Sequence, residues 1–258
     1  MRQVKPVSMF ALALVVTMGL GGCGSAAPPA PVADPAVQKW SALAAYPDWE
    51  GVWEIDWRNQ RGSPRPPEMK LNPQYQAQVE EFRNRQQHGE NLQSDAANCV
   101  PPGLPGIMSQ PYPIEFLYQP DKVVMLTEAY MQYRHIWTDG RAQPEDPDLT
   151  FLGHSTGRWE GDTLVVETVG LNPQNPLDAR QAPGVRPSEQ LRITERIRRI
   201  DADYIEIQTT LTDPVVLAEP FTSSIFYRHL DDEIREYICL ENNRDGADEK
   251  GRPNMNLE

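Results

Sequence analysis

Alternating apolar and polar residues dominate the second half of the chain and predict short β-strands. One strand is also predicted over residues 163–169, where the β-branched sequence Thr-Leu-Val-Val-Glu-Thr-Val follows the turn-forming sequence Glu-Gly-Asp. Similar segments recur at short intervals and are separated by turn residues such as Asp-Gly and Asp-Asp-Glu. The predicted strands are a first one around Trp53 and then approximately 114–118, 122–128, 131–138, 153–159, 163–169, 191–200, 204–212, 223–229 and 235–241.

About ten strands in sequential hairpins predict a mainly β protein, an antiparallel up-and-down meander closed as a lipocalin-like barrel. The step Gly51-Val52-Trp53 resembles the opening strand of lipocalin-like barrels. Strands and helices do not alternate, which disfavours an α/β-hydrolase sheet. One N-terminal helix is predicted over 71–87, because Asn72-Pro73 suits a helix start and apolar residues follow at helical spacing.

The first residues carry a targeting signal. Arg2 and Lys5 precede an apolar run over 9–20 that is too short to span a membrane as a helix. The run ends in Leu-Gly-Gly-Cys at 20–23, which resembles the bacterial lipoprotein signal and implies lipidation of Cys23. Because Gly24 is not Asp, the resemblance implies the outer membrane. The alternative is an ordinary secretory signal followed by an unrelated cysteine.

The predicted domain organisation is a signal peptide over 1–22, a lipidated Ala/Pro-rich tether over 23–45 and a single β-barrel domain over 46–258. Removing the signal, which contains two of the 24 basic residues, leaves 22 against 37 acidic residues and a formal net charge of −15. So acidic a surface disfavours nucleic acid as a partner. We expect a lipid-anchored protein on the periplasmic face of the outer membrane, the alternative being a soluble periplasmic or secreted protein.

Cys99 and Cys239 are the two cysteines outside the lipoprotein signal. In an oxidising compartment they predict a disulfide that joins a long Pro-rich loop to the last strand. The alternative is a pair of buried free thiols.

Residues 153–157 spell Gly-His-Ser-Thr-Gly, the G-x-S-x-G pattern of a serine-hydrolase nucleophile elbow. An elbow turns from a strand into a helix, whereas a β-hairpin is predicted here. We therefore interpret Ser155 as a buried structural serine bonded to backbone. A nucleophilic role would need a base, for which His229, with Asp231 and Asp232, is the downstream candidate.

The central hairpin supplies the first candidate catalytic pair. A two-residue turn places His154 and Glu167 as neighbours on one face, together with Thr156, Arg158 and Val165, and puts Ser155 and Trp159 on the other. A His–carboxylate pair can act as a general base. The alternative is a solvent-facing polar pair across the hairpin.

Two further strands suggest a cavity. Glu195 lies among apolar residues of strand 191–200, so an inward carboxylate there needs a partner or a proton; it is a candidate catalytic residue, or a structural ion pair with Arg228. Tyr133, His135 and Trp137 share one face and could stack against an aromatic ligand, or pack as half-exposed barrel residues. Arg158 and Arg228 complete the candidate ligand-binding set.

Residues 153–166 resemble a segment, G-H-S-x-G-x-W-E-G-D-T-L-V-V, of an uncharacterised family of secreted bacterial proteins and lipoproteins. The resemblance extends to 136–141, 191–200 and 236–242 and covers most of the mature domain. It implies homology and an envelope location, and it carries no known reaction.

Three functions are consistent with these patterns: a barrel that binds a small apolar or aromatic molecule, a cofactor-independent lyase, isomerase or hydrolase that uses His and Glu, and a non-catalytic structural or assembly component of the envelope. The four histidines show no metal-binding spacing, and no phosphate or dinucleotide motif is present, so we predict no metal and no cofactor. Contact with the membrane is expected only through the lipid anchor.

Overall fold

A computed structural model describes residues 39–58, 67–90, 92, 99–239, 245–247 and 253–255. The predicted signal peptide, Cys23 and most of the predicted tether lie outside these residues. Nine strands close into a barrel. They are β1 (Val52–Ile55), β2 (Ile114–Gln119), β3 (Lys122–Thr127), β4 (Gln132–Trp137), β5 (His154–Glu160), β6 (Thr163–Val169), β7 (Arg192–Arg199), β8 (Tyr204–Thr212) and β9 (Phe221–Leu230). Two short strands, β10 (Asp245–Ala247) and β11 (Pro253–Met255), pair with each other.

The predicted helix is confirmed as α1 (Pro73–Gln87), which begins with proline in its first turn. A four-residue helix, α2 (Gly103–Gly106), and three short 3-10 helices at Ala42–Ala45, Ile107–Ser109 and Ala129–Met131 lie in the connections. Within the described residues, no helix has the length and apolar character needed to cross a membrane.

The predicted mainly β barrel is confirmed, with nine strands in place of about ten. The segment 235–238, predicted as part of a last strand, has no regular secondary structure. The reason is closure: β9 pairs with both β8 and β1, so no free edge remains for another strand. This segment instead places Tyr237 against the rings of Tyr112 and Tyr130.

The predicted antiparallel meander is wrong at one pair: β4 and β5 run parallel, whereas the other neighbouring strands are antiparallel, so the barrel is mixed. The connection over 138–153 is long enough to return the chain to the starting end of the barrel, as a parallel pair requires. Only two residue pairs join β4 to β5, Ile136 with Ser155 and Trp137 with Thr156. These two strands are therefore joined over only a short stretch of their length.

The inner face of the barrel is filled by large side chains. Trp53, Phe116, Ile136, Leu164 and Ile197 are among those at most 2% exposed. Strand alternation aims these residues inward, and their burial supplies the main driving force for folding.

The predicted disulfide between Cys99 and Cys239 is present. It closes a loop of 140 residues and joins the connection after α1 to the end of the irregular segment that follows β9. Its second cysteine therefore lies outside the sheet and not on a last strand.

Candidate functional site

The β5–β6 hairpin fixes the faces of the candidate residues. Glu160 pairs with Thr163 and Thr156 pairs with Glu167, so the turn is Gly161-Asp162. This is one of the predicted two-residue turns, and it confirms that His154 and Glu167 share a face opposite Ser155.

Ser155 lies in the barrel interior and is 2% exposed. Its hydroxyl accepts a hydrogen bond from Nε of Arg134 at 2.9 Å and lies 2.9 Å from the Thr168 hydroxyl. A structural serine was expected, but its partners are side chains and not backbone. A guanidinium cannot accept the serine proton, so this environment provides no general base for a nucleophile.

Both glycines of the G-x-S-x-G pattern have structural causes. Gly153 has φ +65°, and an added Cβ would lie 2.6 Å from the carbonyl oxygen of Val169. Gly157 faces inward, where an added Cβ would lie 2.8 Å from a methyl group of Ile136. The pattern arises from a left-handed turn and a crowded interior.

Glu195 is fully buried and forms an ion pair with Arg134, which is 3% exposed. One carboxylate oxygen accepts from Nη1 at 3.1 Å, the other accepts a short bond from Nη2, and Nη2 also donates to the Thr168 hydroxyl at 2.7 Å. We call Arg134, Ser155, Thr168 and Glu195 the buried polar cluster. The negative charge of Glu195 adds to burial in raising the pKa of the neighbouring Tyr227.

The structural partner proposed for Glu195 was wrong. Arg228 lies on the outer surface, where it pairs with Glu54. Sequence reasoning missed Arg134, although the signal was available: it sits between Tyr133 and His135, so alternation sends it to the face opposite theirs. A long charged residue on that inward face requires a buried counter-charge.

His154 and Glu167 do not bond to each other among the described contacts. His154 lies opposite Val169, and its Nε2 is 3.0 Å from the carbonyl oxygen of Asp148. Glu167 instead lies 3.3 Å from Arg158, which also pairs with Glu160. Glu195 is on the other side of the wall, so the three candidate catalytic residues are not gathered into one site.

A pocket of about 560 Å³ opens at the β4–β5 seam. Because only the last residues of β4 pair with β5, the preceding residues leave space against the chain that enters β5. The pocket is lined by residues 131–135, 137 and 150–155. It thus brings together His135 and His154, which belong to different strands.

The three predicted ligand-binding aromatic residues line this pocket from one face of β4. The ring centroids of Tyr133 and His135 are 5.5 Å apart, and those of His135 and Trp137 are 5.8 Å apart. We call these three residues the aromatic ladder. Tyr133 is 62% exposed, so its ring is open to solvent at the mouth of the pocket.

Two cationic side chains lie over the ring of Trp137, at one end of the aromatic ladder. Nζ of Lys122 lies 4.4 Å and Cζ of Arg141 lies 3.6 Å from the Trp137 ring centroid. Burial, and then the positive charge of Lys122, lower the pKa of His135 below its ordinary value of 6.5. The His135 ring is therefore neutral at pH 7 and presents a flat, uncharged surface.

Among the described residues, no group of three or more His, Cys, Asp or Glu side chains is arranged to hold a metal ion. No protein-family model matches the chain, and no curated protein is significantly similar to it.

Proposed function

We propose that the protein binds a small, flat apolar or aromatic molecule in the pocket at the β4–β5 seam. The observation that carries this proposal is the aromatic ladder, whose three side chains line an opening of about 560 Å³ in the barrel wall. That volume falls in the range of small-molecule pockets.

The exposed surface of the pocket supports this proposal. Tyr133 and Met131 are 62% and 49% exposed, so apolar area is left in contact with water that a ligand would cover. Aromatic pairs prefer ring centroids about 4.5–7 Å apart, and the exposed Tyr133 ring leaves room for a ligand ring in such an arrangement. The inner face of the barrel, by contrast, is already occupied by protein side chains.

The proposed setting is the periplasmic face of the outer membrane, with Cys23 lipidated and the barrel held by its tether. The lipoprotein-like signal and the family resemblance of residues 153–166 support this location. Growth with radiolabelled palmitate tests it: label should enter the wild-type protein and be absent from the Cys23→Ala variant.

A second candidate function is acid–base chemistry on the bound molecule by His154. This residue lines the pocket, and its Nε2 faces a carbonyl oxygen, which only accepts hydrogen bonds. The neutral ring therefore carries its proton on Nε2 and keeps Nδ1 as the basic nitrogen. Glu167 is not in the pocket lining and would act only through neighbours.

The binding test uses the fluorescence of N-phenyl-1-naphthylamine titrated with the full chain. Trp137→Ala should raise the dissociation constant about tenfold or more, because truncating an aromatic side chain at the centre of a binding site typically has that effect. Trp57→Ala is the matched control, since Trp57 is 47% exposed and is not in the pocket lining.

Equal affinity for the wild type and Trp137→Ala, or equal losses in both tryptophan variants, would contradict the proposed site. His154→Ala separates the two functions. It should leave the dissociation constant within about twofold under either one, and it should abolish turnover of a bound substrate only under the catalytic one.

A further inference from the structure

A second group of aromatic rings closes the barrel end at which the β2–β3 and β5–β6 turns lie. It comprises Tyr46 and Trp49, which precede β1, with Tyr118 of β2 and Trp159 of β5; we call it the aromatic cap. The ring centroids of Tyr46 and Trp159 are 5.1 Å apart with planes inclined by 17°, and those of Trp49 and Trp159 are 5.2 Å apart. None of the four residues lines the seam pocket.

The cap contains two buried indole N–H groups without acceptors. Nε1 of Trp49 and Nε1 of Trp159 are both buried and have no hydrogen-bond partner among the described residues. Trp53 provides the contrast, because its Nε1 donates to the carbonyl oxygen of Trp49 at 3.0 Å. Buried donors that remain unpaired are costly, and two on adjacent rings mark a place that lacks an acceptor.

Tyr46 follows a short 3-10 helix at the surface; we call residues 42–46 the strap. The strap's 3-10 helix, Ala42–Ala45, has no buried residue and no side-chain cap. The ring of Tyr46 lies nearly parallel to the Trp159 indole, as a stacked ligand ring would. The backbone that follows is held more firmly, since the Tyr118 hydroxyl donates to the carbonyl oxygen of Pro47 at 2.7 Å.

Charges beside the cap are balanced. The Arg199 guanidinium lies 3.6 Å from the Asp48 carboxylate and also donates to the backbone carbonyls of Asp48, Asp201 and Ala202. Burial, and then the charge of Asp48, raise the pKa of Tyr118, so its phenol stays neutral. The charge of Arg199 is thus offset by Asp48, so this arginine does not favour an anionic ligand over a neutral one.

We propose that the aromatic cap is a second ligand site, specific for an uncharged aromatic carbonyl compound, and that Tyr46 fills it when no ligand is bound. The ligand ring replaces the Tyr46 ring on Trp159, and its carbonyl oxygen accepts from the indole N–H groups. The strap moves aside to admit it. Because Tyr46 competes for the same place, the observed affinity is lower than that of the open site.

The test compares 2-acetylnaphthalene with 2-ethylnaphthalene, which has a similar shape and no acceptor. Both are titrated into the full chain carrying ¹⁵N-labelled tryptophan, with the indole N–H resonances assigned from Trp49→Phe and Trp159→Phe. We expect the ketone to bind about tenfold more tightly than the hydrocarbon, as hydrogen bonding to the donors implies. The ketone alone should shift the Trp49 and Trp159 indole resonances downfield.

Tyr46→Ala should bind the ketone about tenfold more tightly than the wild type, since the competing ring is gone. Tyr46→Phe keeps the ring and should bind like the wild type. Trp137→Ala removes one ring of the aromatic ladder and should leave the shifts of the Trp49 and Trp159 indoles unchanged. A failure of the seam pocket can therefore be distinguished from a failure of the cap.

If the indole N–H groups exchange with water and their resonances shift with neither compound, the donors are only hydrated. That result would overturn the proposal. Equal affinity of the wild type for the ketone and the hydrocarbon would do so as well, without depending on any variant.

Discussion

The two faces of strand β4 differ in burial: the inner face is packed, and the outer face carries the proposed binding site. On the inner face, Arg134 is 3% exposed and bonds to Glu195, Ser155 and Thr168. On the outer face, Tyr133 is 62% exposed and lines an open pocket. Successive residues of one strand thus lie in opposite environments, because a strand alternates its side chains between the two faces.

The difference shows where chemistry can occur. Inside, each polar group of the buried polar cluster is already hydrogen-bonded to another, which leaves little capacity for a substrate. Outside, aromatic faces and the His154 ring have room beside them. The carboxylate, serine and arginine of the barrel interior therefore have a structural role, while the exposed rings belong to the proposed binding site.

The largest expected effect is the loss of Glu195. Glu195→Ala leaves the Arg134 charge buried without its partner, and breaking a buried pair in this way costs about 3–5 kcal/mol. Urea unfolding should show this loss, whereas Glu167→Ala, on the exposed face of β6, should change the free energy of unfolding by less than about 0.5 kcal/mol.

Replacing both partners sharpens the result. The double variant Arg134→Met/Glu195→Leu should recover most of the stability lost in Glu195→Ala, since no charge is then left buried. If instead Glu195→Ala were as stable as the wild type, the inner face would not be the structural one.

The next largest loss of stability is expected at Gly157, the last residue of the G-x-S-x-G pattern, which faces the barrel interior. Gly157→Ala places a methyl group 2.8 Å from Ile136 and 3.0 Å from Leu164. Overpacking of this kind costs about 1–3 kcal/mol, measurable as a lower urea midpoint. Gly161→Ala is the control, because no atom lies within 4 Å of its added Cβ; its φ of +65° adds backbone strain alone.

A smaller loss is expected for Ser155→Ala. It removes one acceptor from Arg134 and should cost about 1 kcal/mol of stability. Binding of N-phenyl-1-naphthylamine should be unchanged, because the hydroxyl is directed at the cluster and not at the aromatic ladder. A Ser155-dependent esterase activity would contradict the division between the faces.

The smallest expected effect is a pH dependence of the free energy of unfolding, which arises from His135 on the outer face of β4. The pKa of His135 is lowered in the folded state, so the unfolded chain binds the proton more readily. The stability contribution is present above the unfolded value near 6.5 and falls as the pH drops below it towards the folded pKa. Urea unfolding of the wild type should therefore lose more stability between pH 7.5 and 5.5 than that of His135→Gln; identical profiles would contradict the assignment.

The sequence predicted much of the barrel because the strands of a hairpin are specified by local sequence patterns. The β-branched residues after the turn-forming Glu-Gly-Asp sequence placed β6 at 163–169, and the register confirms the predicted faces of His154 and Ser155. The segment 235–238 was mispredicted because a strand needs a partner edge, and closure between β1 and β9 removes that edge.

The site was predicted only in part. Alternation grouped Tyr133, His135 and Trp137 on one face, and the structure places that face on the outside of the barrel. The parallel β4–β5 seam that opens the pocket beside them depends on a long connection whose path no local pattern encodes. Arg134 as the partner of Glu195 was likewise missed, since the two residues are 61 positions apart.

The sequence alone determined the strands, the turn chemistry and the alternation of faces, because these depend on interactions between near neighbours. It also contained the glycines of the central pattern without explaining them. Tertiary structure decided which face became the interior, which charges were paired and where a pocket opens in the barrel wall. Those outcomes depend on barrel closure and on contacts between distant strands, where burial and desolvation determine the energy of each side chain.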